Sequence, residues 1–226
     1  MKRWYLYPFS PVYHFATSLR NLMYDWGILK STSFKTPIIN VGNLSVGGSG
    51  KSPMVMYLAE FLCKTYKTGV LSRGYGRQTK GYGITNYDSN CKTVGDEAMQ
   101  LFERFKNKFV IGVSEARVPG AKKMIEDMDL DVLILDDAYQ HRAIKPGLQI
   151  LMTDYNDPYF KDYVLPAGDL RESRIGASRA QIIMVSKCPA ELTAEQKQYY
   201  ISRIKPRSDQ KVFFSSIGYD ENIYAH

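Results

Sequence analysis

A chain of 226 residues, 44% of them hydrophobic, can bury one sizeable core. Lys and Arg exceed Asp and Glu by 30 − 23 = 7, a balance that suits an anionic partner such as a nucleotide, a phospholipid, nucleic acid or an acidic membrane surface. Three distant cysteines (Cys63, Cys91, Cys188) and three histidines without ligand spacing exclude a disulfide framework and a Cys/His zinc site.

The N-terminal stretch carries Lys2 and Arg3 before an apolar region, but Pro8, Pro11, His14 and Arg20 interrupt it. Neither a signal-peptide core nor a bilayer-spanning run is expected. Val12, Phe15, Leu19, Leu22, Met23 and Trp26 recur at three-to-four spacing and predict an amphipathic helix over 12–28. Periodicity alone favours a helix packed on the core. The surrounding Tyr5, Tyr7, Phe9, Tyr13 and Tyr24 give it the aromatic density of a water–lipid boundary.

Beyond the helix, short apolar and β-branched runs alternate with helical patterns. Strands are predicted at 37–41, 69–72, 109–113, 131–135, 148–153, 181–186 and 211–215. Helices are predicted at 51–66, 95–106, 115–128 and 193–204, the last opening on a Thr193/Gln196 capping box. Such alternation implies an α/β fold, a mostly parallel sheet with helices on both faces. Segment 74–94 reads as a long loop or small hairpin, and 154–180 as irregular but dense in polar chemistry. Ligands of such sheets bind at the carboxyl ends of the strands.

The motifs lie on those loops. Ser45-Val46-Gly47-Gly48-Ser49-Gly50-Lys51-Ser52 falls between a strand and a helix start, the order of a phosphate-binding loop. Small residues let backbone N–H groups close around phosphate, Lys51 adds a point charge, and Ser52 can ligate Mg²⁺. Ser45 stands where the strict pattern has Gly. Asp136 and Asp137 end the strand after Asp131 in the place of a Walker-B pair, with Gln140 and His141 just behind. Gly95-Asp96-Glu97 opens a helix, where acids either complement the dipole or serve as a general base. Ser72-Arg73-Gly74-Tyr75-Gly76-Arg77 can bind phosphate or stack on a base. In Leu165–Glu172 and beyond, Arg171, Arg174 and Arg179 can grip an acidic substrate or form local ion pairs.

Taken in order, P-I-I-N-V-G-N-L-S-V-G-G-S-G-K-S-P, S-R-G-Y-G, G-D-E, L-D-D-A-Y-Q-H and L-P-A-G-D-L-R-E closely resemble the tetraacyldisaccharide 4'-kinase family of lipid A biosynthesis, from about Tyr7 to Phe214. The resemblance implies a P-loop NTPase-like core and transfer of the γ-phosphate of ATP, with Mg²⁺, to the 4'-hydroxyl of a tetraacylated glucosamine disaccharide 1-phosphate. It implies peripheral residence at the cytoplasmic face of the bacterial inner membrane, in contact with anionic lipid, and turns the N-terminal helix from a core helix into an interfacial one. By motif position, Ser45, Val46, Gly47, Gly48, Ser49, Gly50, Lys51, Ser52, Arg73 and Tyr75 would hold the nucleotide, and Ser52 and Asp136 the metal. Asp96, Lys51, Asp137 and His141 would be catalytic, and Glu97, Gln140, Arg171 and Glu172 would meet the substrate. Ala138 stands where the family commonly has Gly, a change that matters only if the backbone there needs φ > 0.

Three regions are expected: an interfacial segment (1–35), a kinase core (36–210) and the start of a linker (211–226) to a second lobe. A chain lacking that lobe would be expected to bind nucleotide but turn over poorly. A competing class is a P-loop GTPase or metallochaperone-like switch. The late strand ends Val185-Ser186-Lys187-Cys188-Pro189, without the Asn and Asp of a guanine reader. No recognisable nucleic-acid module is present.

Overall fold

The structure is a computed structural model that describes residues 3–218. A 3-10 turn (Trp4–Phe9) leads into helix α1 (Ser10–Asp25). The core then runs β1 (Ile38–Asn43), α2 (Lys51–Leu62), β2 (Thr68–Ser72), β3 (Gly83–Ile84), α3 (Cys91–Val94), α4 (Asp96–Phe105) and β4 (Val110–Val113). It continues with α5 (Arg117–Met128), β5 (Val132–Asp136), β6 (Leu148–Asp154), β7 (Ile182–Ser186), α6 (Ala194–Ile204) and β8 (Lys211–Phe214). The strands form one sheet in the order β3-β4-β2-β5-β1-β6-β7-β8, parallel throughout except for the β3–β4 pair. All seven predicted strands and all five predicted helices are present, with ends shifted by up to four residues. Two features refine the expectation. Segment 74–94 contributes the short antiparallel strand β3 and the one-turn helix α3. Lys211–Phe214, predicted as a strand but assigned to the region beyond the core, is the outermost strand of the core sheet; residues 219–226 lie outside those described.

Strand composition explains the layering. Every residue of β2 and β5 is buried, as runs without polar alternation require. Side chains then alternate between faces. Val41, Val70 and Ile134 pack with Val55, Ala59 and Leu101 under α2 and α4. Leu71, Leu133 and Leu135 pack with Ala121 and Met124 of α5. Further along, Leu151, Ile183 and Val185 pack with Tyr200 of α6. Each fully buried Leu or Ile contributes about 1.5–3 kcal/mol, so the strand tips that carry the motifs are held by the stiffest part of the molecule.

Because β1, β2, β5, β6 and β7 run parallel, their carboxyl ends share one edge. Val41 lies beside Asp136 in the β1–β5 register, which brings the glycine-rich loop and the acidic tip together. Ala138 is buried and takes no left-handed conformation; the positive φ (50°) belongs to Asp137. The loss of a glycine at 138 therefore costs the backbone nothing here.

Helix α1 departs from the core reading of its periodicity. None of its residues is buried, and Val12, Phe15 and Trp26 are 72%, 67% and 68% exposed. Among the described residues no helix is long and apolar enough to cross a membrane.

One contact fixes the entrance to α4. Gly95 has φ 87°, and a Cβ there would sit 2.6 Å from the Tyr75 carbonyl oxygen and 2.9 Å from the Gly74 carbonyl carbon. The Ser72–Gly76 loop thus lies directly against the helix start. Gly95→Ala is expected to destabilise the fold by about 2–3 kcal/mol, combining left-handed strain with a backbone clash. The melting temperature should fall by roughly 4–12 °C, at 2–4 °C per kcal/mol for a domain of this size. An unchanged thermal transition would show that the loop is free to retreat.

Candidate active site

The loop between β1 and α2 is braced from both sides. Asn43 Nδ2 donates to Ser49 Oγ at 2.8 Å, Ser186 Oγ donates to the Ser49 carbonyl at 2.8 Å, and Lys187 Nζ donates to the Gly48 carbonyl. On the opposite flank Val46 N donates to the Asp169 carbonyl and Arg171 N to the Leu44 carbonyl, each at 2.7 Å, with Ser45 bridging Leu170 antiparallel. The L-P-A-G-D-L-R-E stretch is therefore a second wall of the loop. Gly47 (φ 116°) and Gly50 (φ 77°) take conformations a side chain resists. A Cβ on Gly47 or Gly48 would meet no protein atom within 4 Å; the space it would fill is open for an anion. The positive end of α2 points there, with no acid in its first turn. Lys51 Nζ makes only long contacts, 3.4 Å to the Gly47 carbonyl and 3.9 Å to Asp137 Oδ1. Its charge is in place and weakly engaged.

The acidic tip faces this cradle. Asp136 is buried, and its carbonyl accepts Arg117 Nη2 at 2.8 Å, while Arg117 Nη1 donates to the Ser114 carbonyl at 2.8 Å. Burial, reinforced by the Glu97 and Asp137 carboxylates, pushes the Asp136 pKa up to about 7 against the pull of Lys51 and Arg117. Burial also lowers Arg117 to about 10, leaving it charged at neutral pH. Asp137 accepts Arg171 Nη1 at 2.9 and 3.0 Å. Glu97 and Asp137 thus both act on buried Asp136 beside an anion cradle, and a divalent cation there would offset their repulsion. Among the described residues no three His, Cys, Asp or Glu side chains are already gathered as a complete metal site. Mg²⁺ ordinarily takes one or two carboxylates and completes its shell with phosphate and water.

The Asp136 shift has a stability consequence. An acid whose folded pKa is raised holds its proton better in the folded state, so its favourable contribution is complete below about pH 4 and is lost as pH rises to about 7. Asp136→Asn is therefore expected to melt close to the parent at about pH 4 and several degrees above it at pH 8 with chelator present. Comparison with the parent cancels His141, whose pKa is lowered to about 4 by burial and by Arg117, Arg73 and Arg20. A melting difference independent of pH would contradict this account.

The remaining sequence-derived residues sort by position. Glu97 is close enough to Asp136 and Arg117 to shift both. Asp96 opens α4 and is exposed, as Glu97 is; the Cys91 thiol hydrogen-bonds to it and is thereby held above its ordinary pKa. Arg73 is exposed and acts electrostatically on Arg117 and His141, whereas Tyr75 is 79% exposed at the loop tip. Gln140 Nε2 donates to the Asn43 carbonyl at 2.9 Å and to Glu172 Oε1 at 3.1 Å. Glu172, expected on the cleft lining, stands behind it. It is 3% exposed and gripped by Arg179, whose Nη1 and Nη2 donate to Oε2 and Oε1 at 2.9 and 2.8 Å, each oxygen also accepting one further side-chain amide. Arg174 is exposed, and its guanidinium is taken up by the Asp162 carbonyl. Of the three arginines offered as a substrate grip, only Arg171 faces the site. Sequence reasoning missed Arg117, Asn43 as a brace and Ser186. Arg117 carries no motif, and only its place just past a strand end, with the Walker-B strand beside it, could have drawn attention.

The family model for tetraacyldisaccharide-1-P 4'-kinase matches residues 2–217. Similar curated proteins include a tetraacyldisaccharide 4'-kinase of Flavobacterium johnsoniae, 44% identical over 97% of this chain and 64% of its own length. Another, of Bacteroides thetaiotaomicron, is 42% identical over 95% of this chain and 57% of its own. The chain thus spans about 57–65% of the length of such relatives. Among solved structures, LpxK from Aquifex aeolicus in complex with ATP superposes with a TM-score of 0.74 at 30% identity, over 98% of this chain and 84% of that one. The chain belongs to the tetraacyldisaccharide-1-P 4'-kinase family.

Proposed function

We propose that the chain carries the nucleotide-binding half of a lipid kinase that phosphorylates the 4'-hydroxyl of a tetraacylated glucosamine disaccharide 1-phosphate from ATP. The observation that carries this reading is the meeting of an open glycine cradle, Lys51 and the Asp136–Asp137 tip at one sheet edge. Phosphoryl transfer asks the protein for positioning and charge neutralisation, and this edge offers both.

Mg²⁺ would be held by Ser52 and Asp136 and would neutralise phosphate charge when bound. The loop N–H groups from Gly47 to Lys51 and the Lys51 ammonium bind the phosphates. A cavity of about 240 Å³ on the β6–β7 side, lined by Asn43, Met152, Thr153, Asp154, Asp157 and Lys187, takes the nucleoside end. The terminal phosphate then lies toward Asp137 and Arg171. Asp96 accepts the proton of the attacking hydroxyl, while His141, neutral at pH 7, offers a hydrogen bond and no charge. The guanine-switch alternative is disfavoured because Lys187 is engaged by Asp154 at 2.7 Å and no Asn or Asp flanks it.

The acceptor is expected at a bilayer surface. The outward face of α1, with Phe9, Val12, Phe15, Leu19, Leu22 and Trp26 all at least 42% exposed, would lie in the interface while the sugar rises to the site. The protein is then peripheral, at the cytoplasmic face of the inner membrane. Incubating it with γ-labelled ATP, Mg²⁺ and the disaccharide precursor in mixed micelles should yield labelled lipid. No labelled lipid, from this chain or from one extended to its relatives' length, would overturn the reading.

A further inference from the structure

The inner face of α1 is wired to the acidic tip. Asn21 Nδ2 donates to Glu172 Oε2 at 2.7 Å. Glu172 Oε1 accepts Gln140 Nε2 at 3.1 Å, and Gln140 Oε1 accepts Arg171 Nη1 at 3.4 Å. That same Arg171 nitrogen is shared with both oxygens of Asp137, which lies 3.9 Å from Lys51 Nζ. Two more bonds from α1 reach the backbone of this chain of contacts: Arg20 Nη1 to the Gln140 carbonyl at 3.2 Å, and Tyr13 Oη to the Arg171 carbonyl at 3.1 Å.

Two properties make the connection responsive. First, α1 buries no residue; polar bonds, not core packing, fix its position, so small displacements are cheap. Second, one Arg171 nitrogen serves three acceptors, so moving Gln140 or Glu172 changes how tightly Asp137 is held. Asp137 in turn stands beside Lys51 and adds to the charge felt by Asp136. The residues that make these bonds (Tyr13, Arg20, Asn21) lie off the apolar stripe of Val12, Phe15, Leu19, Leu22 and Trp26, so a surface holding the stripe leaves the bonds intact.

We propose that α1 senses the lipid surface, and that its seating on an anionic bilayer is passed through Asn21, Glu172, Gln140 and Arg171 to Asp137, altering affinity for Mg·ATP. Asn21 is a positioning residue in this scheme; it touches neither nucleotide nor acceptor. The surface is a bilayer and not a protein because the exposed stripe is long, aromatic-rich and carried by a chain of net charge +7. The inference rests on the membrane-peripheral part of the proposed function, but not on phosphorylation of the acceptor.

The test therefore leaves the acceptor out. Mg·ATP affinity is measured by calorimetry with and without phosphatidylglycerol/phosphatidylethanolamine vesicles, and vesicle binding by co-sedimentation. In the parent, vesicles should shift the affinity about fivefold or more, the low end of measured site-to-site couplings. Asn21→Ala should sediment equally but keep less than a twofold shift, and Asn21→Gln, which retains the donor, should recover part of it. A parent that sediments yet binds Mg·ATP with unchanged affinity would overturn the proposal. So would an Asn21→Ala variant with the full shift, or a parent that fails to sediment. Labelled lipid formed in the micelle assay would leave the kinase reading standing in each of those cases.

Discussion

Lys51→Ala is expected to lower phosphoryl transfer by roughly a thousandfold while leaving the melting temperature within about 2 °C of the parent. The rate effect follows from removing a fixed cation aimed at developing phosphate charge; loss of one such preorganised group costs roughly 10²–10³ in turnover, and the Lys also serves binding. The small stability effect follows from its contacts. Lys51 Nζ reaches the Gly47 carbonyl only at 3.4 Å and Asp137 only at 3.9 Å, and Arg171 already holds Asp137 at 2.9 Å. Removing the ammonium therefore leaves no carboxylate unpaired. Lys51→Arg should not restore the rate, because a planar fork cannot replace a compact point charge inside a backbone cradle. The comparison needs initial rates in mixed micelles and a thermal scan on the same preparations. Loss of the cooperative transition would mean that Lys51 is structural, and transfer above a tenth of the parent would mean that the loop cations are redundant.

The sheet was legible because its chemistry is repetitive. β5 is Val-Leu-Ile-Leu-Asp and every residue of it is buried; such a run admits few other fates. The phosphate loop was legible because glycine and lysine at that spacing satisfy a backbone requirement that the structure meets with positive φ at Gly47 and Gly50. What escaped the sequence is what depends on three-dimensional neighbours. Arg179 and Arg171 look alike on paper, eight residues apart in one irregular stretch, yet Arg179 closes on buried Glu172 and Arg171 faces Asp137. The partner carboxylate, half-open Asp137 or buried Glu172, separates the two. The periodicity of α1 located the helix but not its partner, because a stripe of Val, Phe, Leu and Trp does not state whether a protein core or another apolar medium covers it; only the family resemblance turned the reading away from the core.

Asp96→Ala should reduce turnover by roughly 10²–10⁴, the usual worth of a positioned base, with Mg·ATP affinity nearly unchanged. Glu97→Gln should do the reverse, raising the Mg²⁺ concentration needed for half-maximal rate more than it lowers the limiting rate. Both neighbours are exposed at the start of α4, and they differ in the groups they act on. Asp96 is exposed at the opening of the helix, with the Cys91 thiol hydrogen-bonded to it. Glu97 acts on Asp136 and Arg117 and helps push the Asp136 pKa up to about 7. Removing the Glu97 charge lowers that pKa and drains negative potential from the place where a divalent ion would sit. On the proposed role, removing Asp96 takes away the proton acceptor, and it costs the helix only about 0.3–1 kcal/mol of dipole compensation. Rates measured across a Mg²⁺ titration, at saturating ATP and precursor, separate the two effects. If Asp96→Ala turned over like the parent while Glu97→Gln lost turnover at every Mg²⁺ concentration, the base would be Glu97. The acidic cluster would then serve proton transfer first and metal binding second.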